Sequence, residues 1–168
     1  MTTDDADVAH TIRTIANYGF AEKYVANHTG KNSRLDEIQA AALTLKLERL
    51  DADNRRRREI AALYSREIAN PFCKIPYGGD TEQSVFHIYP LVSPRRDALC
   101  EHLQRRGVET LVHYPIPVHR QRAFSDYNAC RLPICEKIAR EEISLPLSPV
   151  QTDEETFYVI EAINQFRP

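Results

Sequence analysis

Apolar residues recur at helical spacing in the first third of the chain and predict two helices there. Ile12 and Ile15 share a face with smaller apolar residues, which predicts a helix over 3–18; Thr3 with Asp4 and Asp5 would supply its cap and N-terminal negative charge. A second helix is predicted over 34–49. Its apolar residues form two stripes: Leu35, Ile38, Ala42 and Leu45, and Ala40, Leu43, Leu47 and Leu50. An apolar arc this wide is typical of a helix covered on two sides, by a core and by something else such as another subunit.

The rest of the chain alternates between helices and short strands. A long helix is predicted over 51–68, and Asn70-Pro71 ends it, because proline cannot continue a helix. The patterns then predict strands at 72–75, 84–92, 108–113 and 142–145, and helices at 94–106, 134–141 and 152–166. Together they predict an α+β fold, in which a helical segment is followed by a small sheet covered by helices.

Three single residues sharpen these boundaries. Pro90 places the strand 84–92 at a sheet edge or a bulge, because proline cannot donate to the sheet. Gly107 is expected to end the helix before it. Thr152 and Glu155 have the spacing of a capping box, which starts the last helix.

Polar residues precede the second helix, in the stretch from Gly30 to Ala42. Ser33 is predicted to cap the helix, and Gly30 to let the backbone approach a neighbour closely. Asn32 and Arg34 would then lie at a helix N-terminus, where backbone donors favour an anion such as phosphate. An ordinary capped helix explains the same stretch, and these residues alone favour it because helix caps far outnumber anion sites; the anion site stays open as the alternative.

The loop His113-Tyr-Pro-Ile-Pro-Val-His119 is a second polar cluster, and its two prolines fix the backbone. We expect its histidines to form hydrogen bonds to a ligand, with a purely structural loop as the alternative. No metal site is predicted, because no carboxylate or cysteine lies close enough in sequence to complete a ligand set. His87, inside a predicted strand, is expected to be a core or interface residue.

Composition narrows the classes of partner. The 168 residues carry a net charge of −2, which argues against a nucleic-acid-binding protein. The run Arg55 to Arg58 is therefore interpreted as a solvated face or an ion-paired interface. Apolar runs are too short for a membrane span, and we expect neither a signal peptide nor disulfides among the four cysteines. A cytoplasmic protein is the expectation.

Several motifs, in order, resemble one family across essentially the whole chain. They include Asn17-Tyr18-Gly19, the stretch Gly30–Ala41, His87-Ile-Tyr89, His113-Tyr-Pro-Ile-Pro-Val-His119 and Ser144-Leu-Pro-Leu147. They resemble the DegT/DnrJ/EryC1/StrS sugar aminotransferases, which are pyridoxal-phosphate-dependent enzymes of fold type I. The resemblance implies a homodimer that acts on nucleotide-linked keto sugars in polysaccharide or deoxyaminosugar biosynthesis, with glutamate or glutamine as amino donor.

The resemblance also implies roles for particular residues. Asn32 matches the position that reaches across the dimer interface to the phosphate of pyridoxal phosphate. Arg34, His113, Tyr114 and His119 match positions near the sugar nucleotide. Residues 1–50 are expected to be the end of the large domain, and 51–168 the small carboxyl-terminal domain, with a long connecting helix over 51–69.

One departure from the family limits the expected activity. The family's Schiff-base lysine, and the aspartate that pairs with the pyridine nitrogen, lie upstream of the matched segments. None of the lysines here, Lys23, Lys31, Lys46, Lys74 and Lys137, has that context. We therefore expect a carboxyl-terminal portion of such an enzyme that is inactive alone and binds no cofactor covalently. It would pair with itself, or with a complementary or full-length chain. The alternative is a non-catalytic dimerisation or interaction module derived from the family.

Overall fold

A computed structural model describes residues 2–76 and 83–168, which fall into two compact units. One unit ends at Arg49 and the other is Leu50–Pro168. Which domain of a larger enzyme each unit corresponds to stays a prediction.

The first unit contains two helices and a hairpin. Helix α1 is Ala6–Ala16, strands β1 (Phe20–Glu22) and β2 (Val25–Ala26) pair antiparallel, and helix α2 is Glu37–Leu47. Between residues 2 and 49, no hydrophobic side chain is fully buried. This unit is therefore held together mainly by backbone contacts.

The cap of α1 is Asp5, one of the three residues expected to supply it, and not Thr3. The Asp5 carboxylate accepts from the backbone N–H groups of Asp7 (2.9 Å) and Val8 (3.0 Å). A carboxylate satisfies two free donors and also suits the positive end of the helix dipole, so it outcompetes a nearby hydroxyl. Thr3 instead accepts from the backbone N–H of Asp5.

The start of α2 also differs from the expectation. The helix begins at Glu37, after Asp36, and Ser33 does not cap it. The backbone N–H of Ser33 donates to the carbonyl of Ala16 at 2.9 Å, and Asn32 forms an antiparallel bridge with Asn17. These long-range bonds hold residues 32–33 in an extended conformation, so Asn32 does not lie at a helix N-terminus.

Two glycines allow the end of α1 to pack directly against the segment before α2. A Cβ on Gly30 would lie 2.1 Å from the backbone nitrogen of Gly19, and a Cβ on Gly19 would lie 1.7 Å from the carbonyl oxygen of His28. Gly19 also has a φ of 78°, which disfavours any side chain. The close approach predicted for Gly30 is thus real, and its neighbour is the protein's own backbone.

The second unit contains four helices and a two-stranded sheet. The helices are α3 (Leu50–Glu67), α4 (Arg96–Arg105), α5 (Pro133–Glu141) and α6 (Asp153–Asn164), with 3₁₀ turns at Val118–Arg120 and Arg122–Tyr127. The strands are β3 (Tyr89–Val92) and β4 (Glu142–Leu145). The helix predictions for this part of the chain are confirmed to within a few residues at each end.

The sheet is smaller than predicted. Strands β3 and β4 are antiparallel, with Tyr89 opposite Leu145 and Val92 opposite Glu142. The predicted strands 72–75 and 108–113 contribute only single bridges, Lys74 to Val92 and Leu111 to Ser144. The predicted strand 84–92 begins only at Tyr89, because Phe86 has a φ of 47°, which is incompatible with an extended strand.

The core of the second unit lies between the sheet, α3, α4 and α6. Its fully buried side chains include Ile60, Tyr64, Tyr89, Leu91, Leu99, Leu103, Ile143 and Ile163. Tyr64 donates to the carbonyl of Pro146 (2.7 Å) and accepts from Gln151 (2.9 Å), so its hydroxyl is satisfied. Burial raises the pKa of Tyr64 to about 12.

The arginine run on α3 binds its own unit. Arg56 pairs with Asp153 at 2.7 Å and also donates to the carbonyl of Gln151. Arg58 donates to the carbonyl of Ser84 at 3.0 Å, and Arg57 to that of Leu147 at 3.3 Å. The ion-paired interpretation is thus confirmed for Arg56, while the other two bind backbone oxygens.

Two predicted helix boundaries are confirmed. Thr152 accepts from the backbone N–H of Glu155, and the Glu155 carboxylate accepts from the backbone N–H of Thr152, which is the predicted capping box. Gly107, with a φ of 74°, follows the last turn of α4. Over the described ranges 2–76 and 83–168, no helix is both long and apolar enough to cross a membrane.

Candidate functional site

The first unit presents a polar cluster in the segment between β2 and α2. The amide nitrogen of Asn32 donates to the hydroxyl of Tyr18 at 3.0 Å, and Asn32 Oδ1 accepts from Arg34 Nε at 3.0 Å. The Arg34 guanidinium also lies 5.7 Å from the centre of the Tyr18 ring and reaches Asn17 Oδ1 at 3.5 Å. The structure therefore brings Asn32 and Arg34 together, and their backbone is fixed by the bridge to Asn17.

The chemistry of this cluster fits a phosphate group. The guanidinium of Arg34 presents a planar fork of donors, and the Asn32 amide has one N–H besides the one that it donates to Tyr18. The side chain of Arg34 uses Nε and one terminal nitrogen inside the cluster, which leaves donors for an exposed anion. The site does not use a helix N-terminus, since α2 begins five residues beyond Asn32.

The lysines do not offer a buried position for covalent attachment of a cofactor. All five are exposed, and Lys137 lies 3.9 Å from Glu141 while Lys23 lies over the ring of Tyr24. Lysines that form Schiff bases are typically activated by desolvation or by a neighbouring cation. The residues present thus fit the phosphate of pyridoxal phosphate better than they fit its aldehyde.

The second unit carries a hydrogen-bonded cluster at His113, on the sheet face opposite the core. Residues Glu142 and Ser144 alternate along β4 with the core residues Ile143 and Leu145, so they share one face. The backbone N–H of His113 donates to Glu142 Oε2 at 2.8 Å, and His113 Nδ1 lies 2.8 Å from Ser144 Oγ. Ser144 Oγ in turn donates to Glu142 Oε1. Both Glu142 and Ser144 are buried.

The loop after His113 separates its two other predicted site residues. The His113–Tyr114 peptide bond is cis, and the Tyr114 side chain is 73 % exposed with its ring edge-on to His113. His119 is buried, and its Nε2 lies 3.1 Å from the carboxylate of Glu136 on α5. This geometry gives His119 the structural role of fixing the loop to α5, and the assignment of a ligand contact to it stays a prediction.

Glu136 is the anchor of that end of the loop. Its carboxylate accepts from His119, from the backbone N–H of Leu132 and from Arg120. The bond from His119, followed by those from Leu132 and Arg120, holds the pKa of Glu136 below its usual value. Glu136 is therefore a carboxylate at neutral pH.

A cavity of about 740 Å³ adjoins His113. Its wall also includes Ser144, Glu109, Thr110 and His87. His87 is exposed, so it is not a core residue, because the turn at Phe86 takes it out of the strand; the interface alternative stays a prediction. Sequence reasoning missed Glu142 altogether and noted Ser144 only as part of a motif. The alternation of polar and apolar residues in 142–145 was the available signal.

Of the four thiols, only that of Cys100 belongs to the wall of this cavity. Burial raises the pKa of Cys73 to about 11, and burial also raises that of Cys100, which a hydrogen bond with Thr110 partly offsets. Cys130 and Cys135 are exposed, and all four thiols are free. Among residues 2–76 and 83–168, no group of three or more histidine, cysteine or acidic side chains is arranged to hold a metal ion.

Comparison with known proteins decides the family. The sequence profile of the DegT/DnrJ/EryC1/StrS aminotransferase family matches residues 1–164. The chain belongs to that family. The α+β fold is confirmed by a structural neighbour in it, the Streptomyces venezuelae protein DesV in complex with a ketimine intermediate. That structure has a TM-score of 0.91 and 38 % identity over 98 % of this chain.

Curated members of the DegT/DnrJ/EryC1/StrS family extend the comparison. A dTDP-3-amino-3,6-dideoxy-alpha-D-galactopyranose transaminase from Aneurinibacillus thermoaerophilus is 45 % identical over 99 % of this chain. A dTDP-3-amino-3,4,6-trideoxy-alpha-D-glucose transaminase from Streptomyces venezuelae is 37 % identical, also over 99 %. The chain spans 46 % and 45 % of their lengths, respectively. A Bacillus subtilis neighbour with bound cofactor PMP has a TM-score of 0.86 at 27 % identity.

Proposed function

We propose that residues 1–168 are the carboxyl-terminal portion of a pyridoxal-phosphate-dependent aminotransferase that acts on nucleotide-linked keto sugars. The observation that carries the proposal is the family match over residues 1–164, together with the names of the relatives, which are transaminases of dTDP-linked amino sugars. When bound, pyridoxal phosphate supplies the electron sink for amino transfer. The residues described here would hold and position the reactants.

Within this proposal, the cluster of Asn32 and Arg34 binds phosphate. Asn32 binds the cofactor phosphate of a neighbouring subunit, and Arg34 lies toward the sugar nucleotide. The support is their mutual contact at 3.0 Å, their exposure and their donor chemistry, which suit a doubly charged oxyanion. The bridge between Asn32 and Asn17 orders the segment before any ligand arrives, which lowers the entropy lost on binding.

The loop at 113–119 is proposed to contact the sugar nucleotide. Of the three predicted contact residues, His113 and Tyr114 have accessible surface, and His119 contributes through its anchor on Glu136. A proline on each side of Ile116 keeps the loop from sampling other conformations. The loop thus offers preorganised hydrogen-bonding groups rather than a nucleophile.

We propose that this chain alone does not catalyse amino transfer. Its five lysines are all exposed, and none has the sequence context of the family's Schiff-base lysine. The chain would become active when a second polypeptide segment brings that lysine. A homodimer, or a complex with a complementary or full-length aminotransferase, is the form in which we expect it to act.

Reconstitution tests this function. The chain is co-expressed with the segment of the Aneurinibacillus thermoaerophilus transaminase that it does not match. The assay follows formation of glutamate from 2-oxoglutarate and dTDP-3-amino-3,6-dideoxy-alpha-D-galactopyranose, in the presence of pyridoxal phosphate. We expect no activity from the chain alone and activity from the pair. If the two polypeptides co-purify but their complex is inactive, the proposal is contradicted.

A matched pair of variants tests the role of Asn32. We expect N32A to raise the concentration of pyridoxal phosphate needed for half-maximal activity of the pair by at least about tenfold, since one hydrogen bond to a charged group contributes about 1.5–3 kcal/mol. The control is N27A, because Asn27 is also an exposed asparagine of the first unit. Equal behaviour of the two variants would remove Asn32 from the phosphate site.

A specific observation favours a second function, that of a non-catalytic dimerisation or interaction module. Helix α2 buries none of its residues, and Ile38 is 86 % exposed. Such a helix is a ready surface for association with another family member. Association with a full-length transaminase that changes its activity, combined with failure of the reconstitution, would favour this module.

A further inference from the structure

The groups around His113 form a closed ring of hydrogen bonds that no ligand is needed to complete. Glu142 accepts from the backbone N–H of His113 through Oε2 and from the hydroxyl of Ser144 through Oε1. Ser144 Oγ lies 2.8 Å from Nδ1 of the His113 ring, which closes the circuit. Both Glu142 and Ser144 are only 4 % exposed, so water does not compete for these bonds.

The direction of each proton in this ring follows from the donors available. A carboxylate can only accept, so the hydroxyl hydrogen of Ser144 points to Glu142. The Ser144 oxygen then has only lone pairs left for the imidazole. The bond to His113 therefore requires that Nδ1 carry the hydrogen and donate it.

We infer that Glu142 and Ser144 are positioning residues that hold neutral His113 in its Nδ1–H tautomer. Nε2 is then left as a hydrogen-bond acceptor at the wall of the 740 Å³ cavity. Among the residues that the structure describes, none forms a hydrogen bond to Nε2. The group that fits it is a donor, such as a hydroxyl of a sugar, whereas a phosphate oxygen would meet a lone pair. The nature of this occupant rests on the proposed function, but the tautomer does not.

Two other histidines of the same unit are fixed in the opposite tautomer. His102 Nε2 lies 2.9 Å from the carbonyl of Ala162, and a carbonyl can only accept, so Nε2 carries the hydrogen. His119 Nε2 donates in the same way to the Glu136 carboxylate. The chain thus contains two internal references for the Nε2–H tautomer, against which His113 can be compared.

Long-range ¹H–¹⁵N correlation spectra of the full chain test this inference without cofactor or sugar. They are recorded at about pH 9, where imidazole side chains in water are neutral. The expected result is that Nδ1 of His113 has the shift of a protonated nitrogen and Nε2 that of an unprotonated one, with the reverse for His102 and His119. A protonated Nε2 on His113 would overturn the inference.

The variant E142Q makes the sharpest prediction. Its amide oxygen keeps the bond from the His113 backbone N–H, because an NH₂ group there would face another donor. The amide nitrogen then faces Ser144 Oγ and donates to it. The Ser144 hydrogen becomes free to point at His113 Nδ1, so we expect the ring hydrogen to move to Nε2. An unchanged His113 tautomer, with the His102 and His119 signals intact, would show that Glu142 does not set it.

A pair of serine variants separates the hydroxyl from the packing. S144A removes the acceptor of Nδ1–H, and we expect both tautomers of His113 to be populated. S144T keeps a hydroxyl, and we expect it to retain the Nδ1–H form. A tautomer in S144A identical to that of the unaltered chain would overturn the role of Ser144. Since these measurements need no second polypeptide, their outcome is independent of whether reconstitution succeeds.

Discussion

Single residues in the first unit act through their backbone rather than through buried side chains. The N–H of Lys31 donates to the carbonyl of Ile15, and that of Ser33 to the carbonyl of Ala16, both at 2.9 Å. These bonds require Gly30 to lie directly against Gly19. The position of Asn32 therefore depends on a residue that makes no side-chain contact.

The variant G30A should release this segment. Its methyl group would lie 2.1 Å from the Gly19 nitrogen and 2.6 Å from the Ile15 carbonyl oxygen, so the backbone must separate. We expect hydrogen exchange of the Lys31 and Ser33 amides to lose most of its protection. The control is G107A, which has a positive φ but no atom within 4 Å of the new methyl group. G107A should lower the free energy of unfolding by about 1–2 kcal/mol and leave the exchange protection of the Lys31 and Ser33 amides unchanged. Protected amides in G30A would contradict the packing.

At the scale of elements, the termini of the helices show how local and long-range signals compete. The capping box of α6 uses two residues three apart and needs no other part of the chain. The start of α2, by contrast, depends on bonds from Asn32 and Ser33 to the end of α1. A helix end that depends only on nearby residues, such as the start of α6, can be tested by a single substitution.

The capping box of α6 should contribute measurably to stability. We expect T152A to lower the free energy of unfolding by about 1 kcal/mol, because the backbone N–H of Glu155 loses its acceptor. The variant T152S keeps the hydroxyl and should lose much less. Urea unfolding of the full chain, followed by circular dichroism, gives both values. A loss in T152S as large as in T152A would assign the effect to the methyl group instead.

The sequence predicted the elements whose signals are local. The helices of the second unit follow from apolar periodicity and from residues such as Thr152 and Gly107. It could not predict that Phe86 turns the chain before β3, nor that the segment at Leu111 adds only one bridge to the sheet. Those outcomes depend on pairing between residues more than 30 positions apart, which no local pattern encodes.

The residues of the candidate site also divide into those that sequence motifs predicted and those that only the tertiary structure reveals. Asn32, Arg34, His113 and Tyr114 were identified from motifs of the family. Glu142 was not, because an acidic residue in a short strand is usually solvated. Its role became visible only when β4 placed it beside the backbone of His113, 29 residues earlier in the chain. Burial of a carboxylate beside two donors is a property of the tertiary structure.

At the scale of the whole molecule, the apolar surface of α2 is the one that we expect a partner to cover. Its apolar residues Ile38, Leu43, Leu45 and Leu47 are each more than half exposed. Isolated apolar residues on a surface are ordinary, but a helix with this many favours association. The sequence had predicted coverage on two sides, and within the first unit neither side is covered.

We expect the full chain to self-associate through α2 at micromolar concentration. The variant I38E places a charge on the apolar surface. We expect it to raise the dissociation constant of self-association, measured by sedimentation, at least tenfold, because burying an unpaired charge in the interface costs free energy. The control is Q39E, which adds the same charge at an exposed polar position of the same helix. A monomer in the unaltered chain, or equal effects of the two variants, would contradict this role of α2.

The arginines of α3 have a consequence for how the sequence can diverge. Arg58 binds the carbonyl oxygen of Ser84, and Arg56 that of Gln151. Every amino acid supplies a carbonyl oxygen, so these contacts survive replacement of the partner's side chain but not of the arginine. We therefore expect substitutions to disturb these contacts at the arginine of each pair, and not at the residue that supplies the carbonyl oxygen. Among relatives, the arginines would persist while the residues that they bind drift.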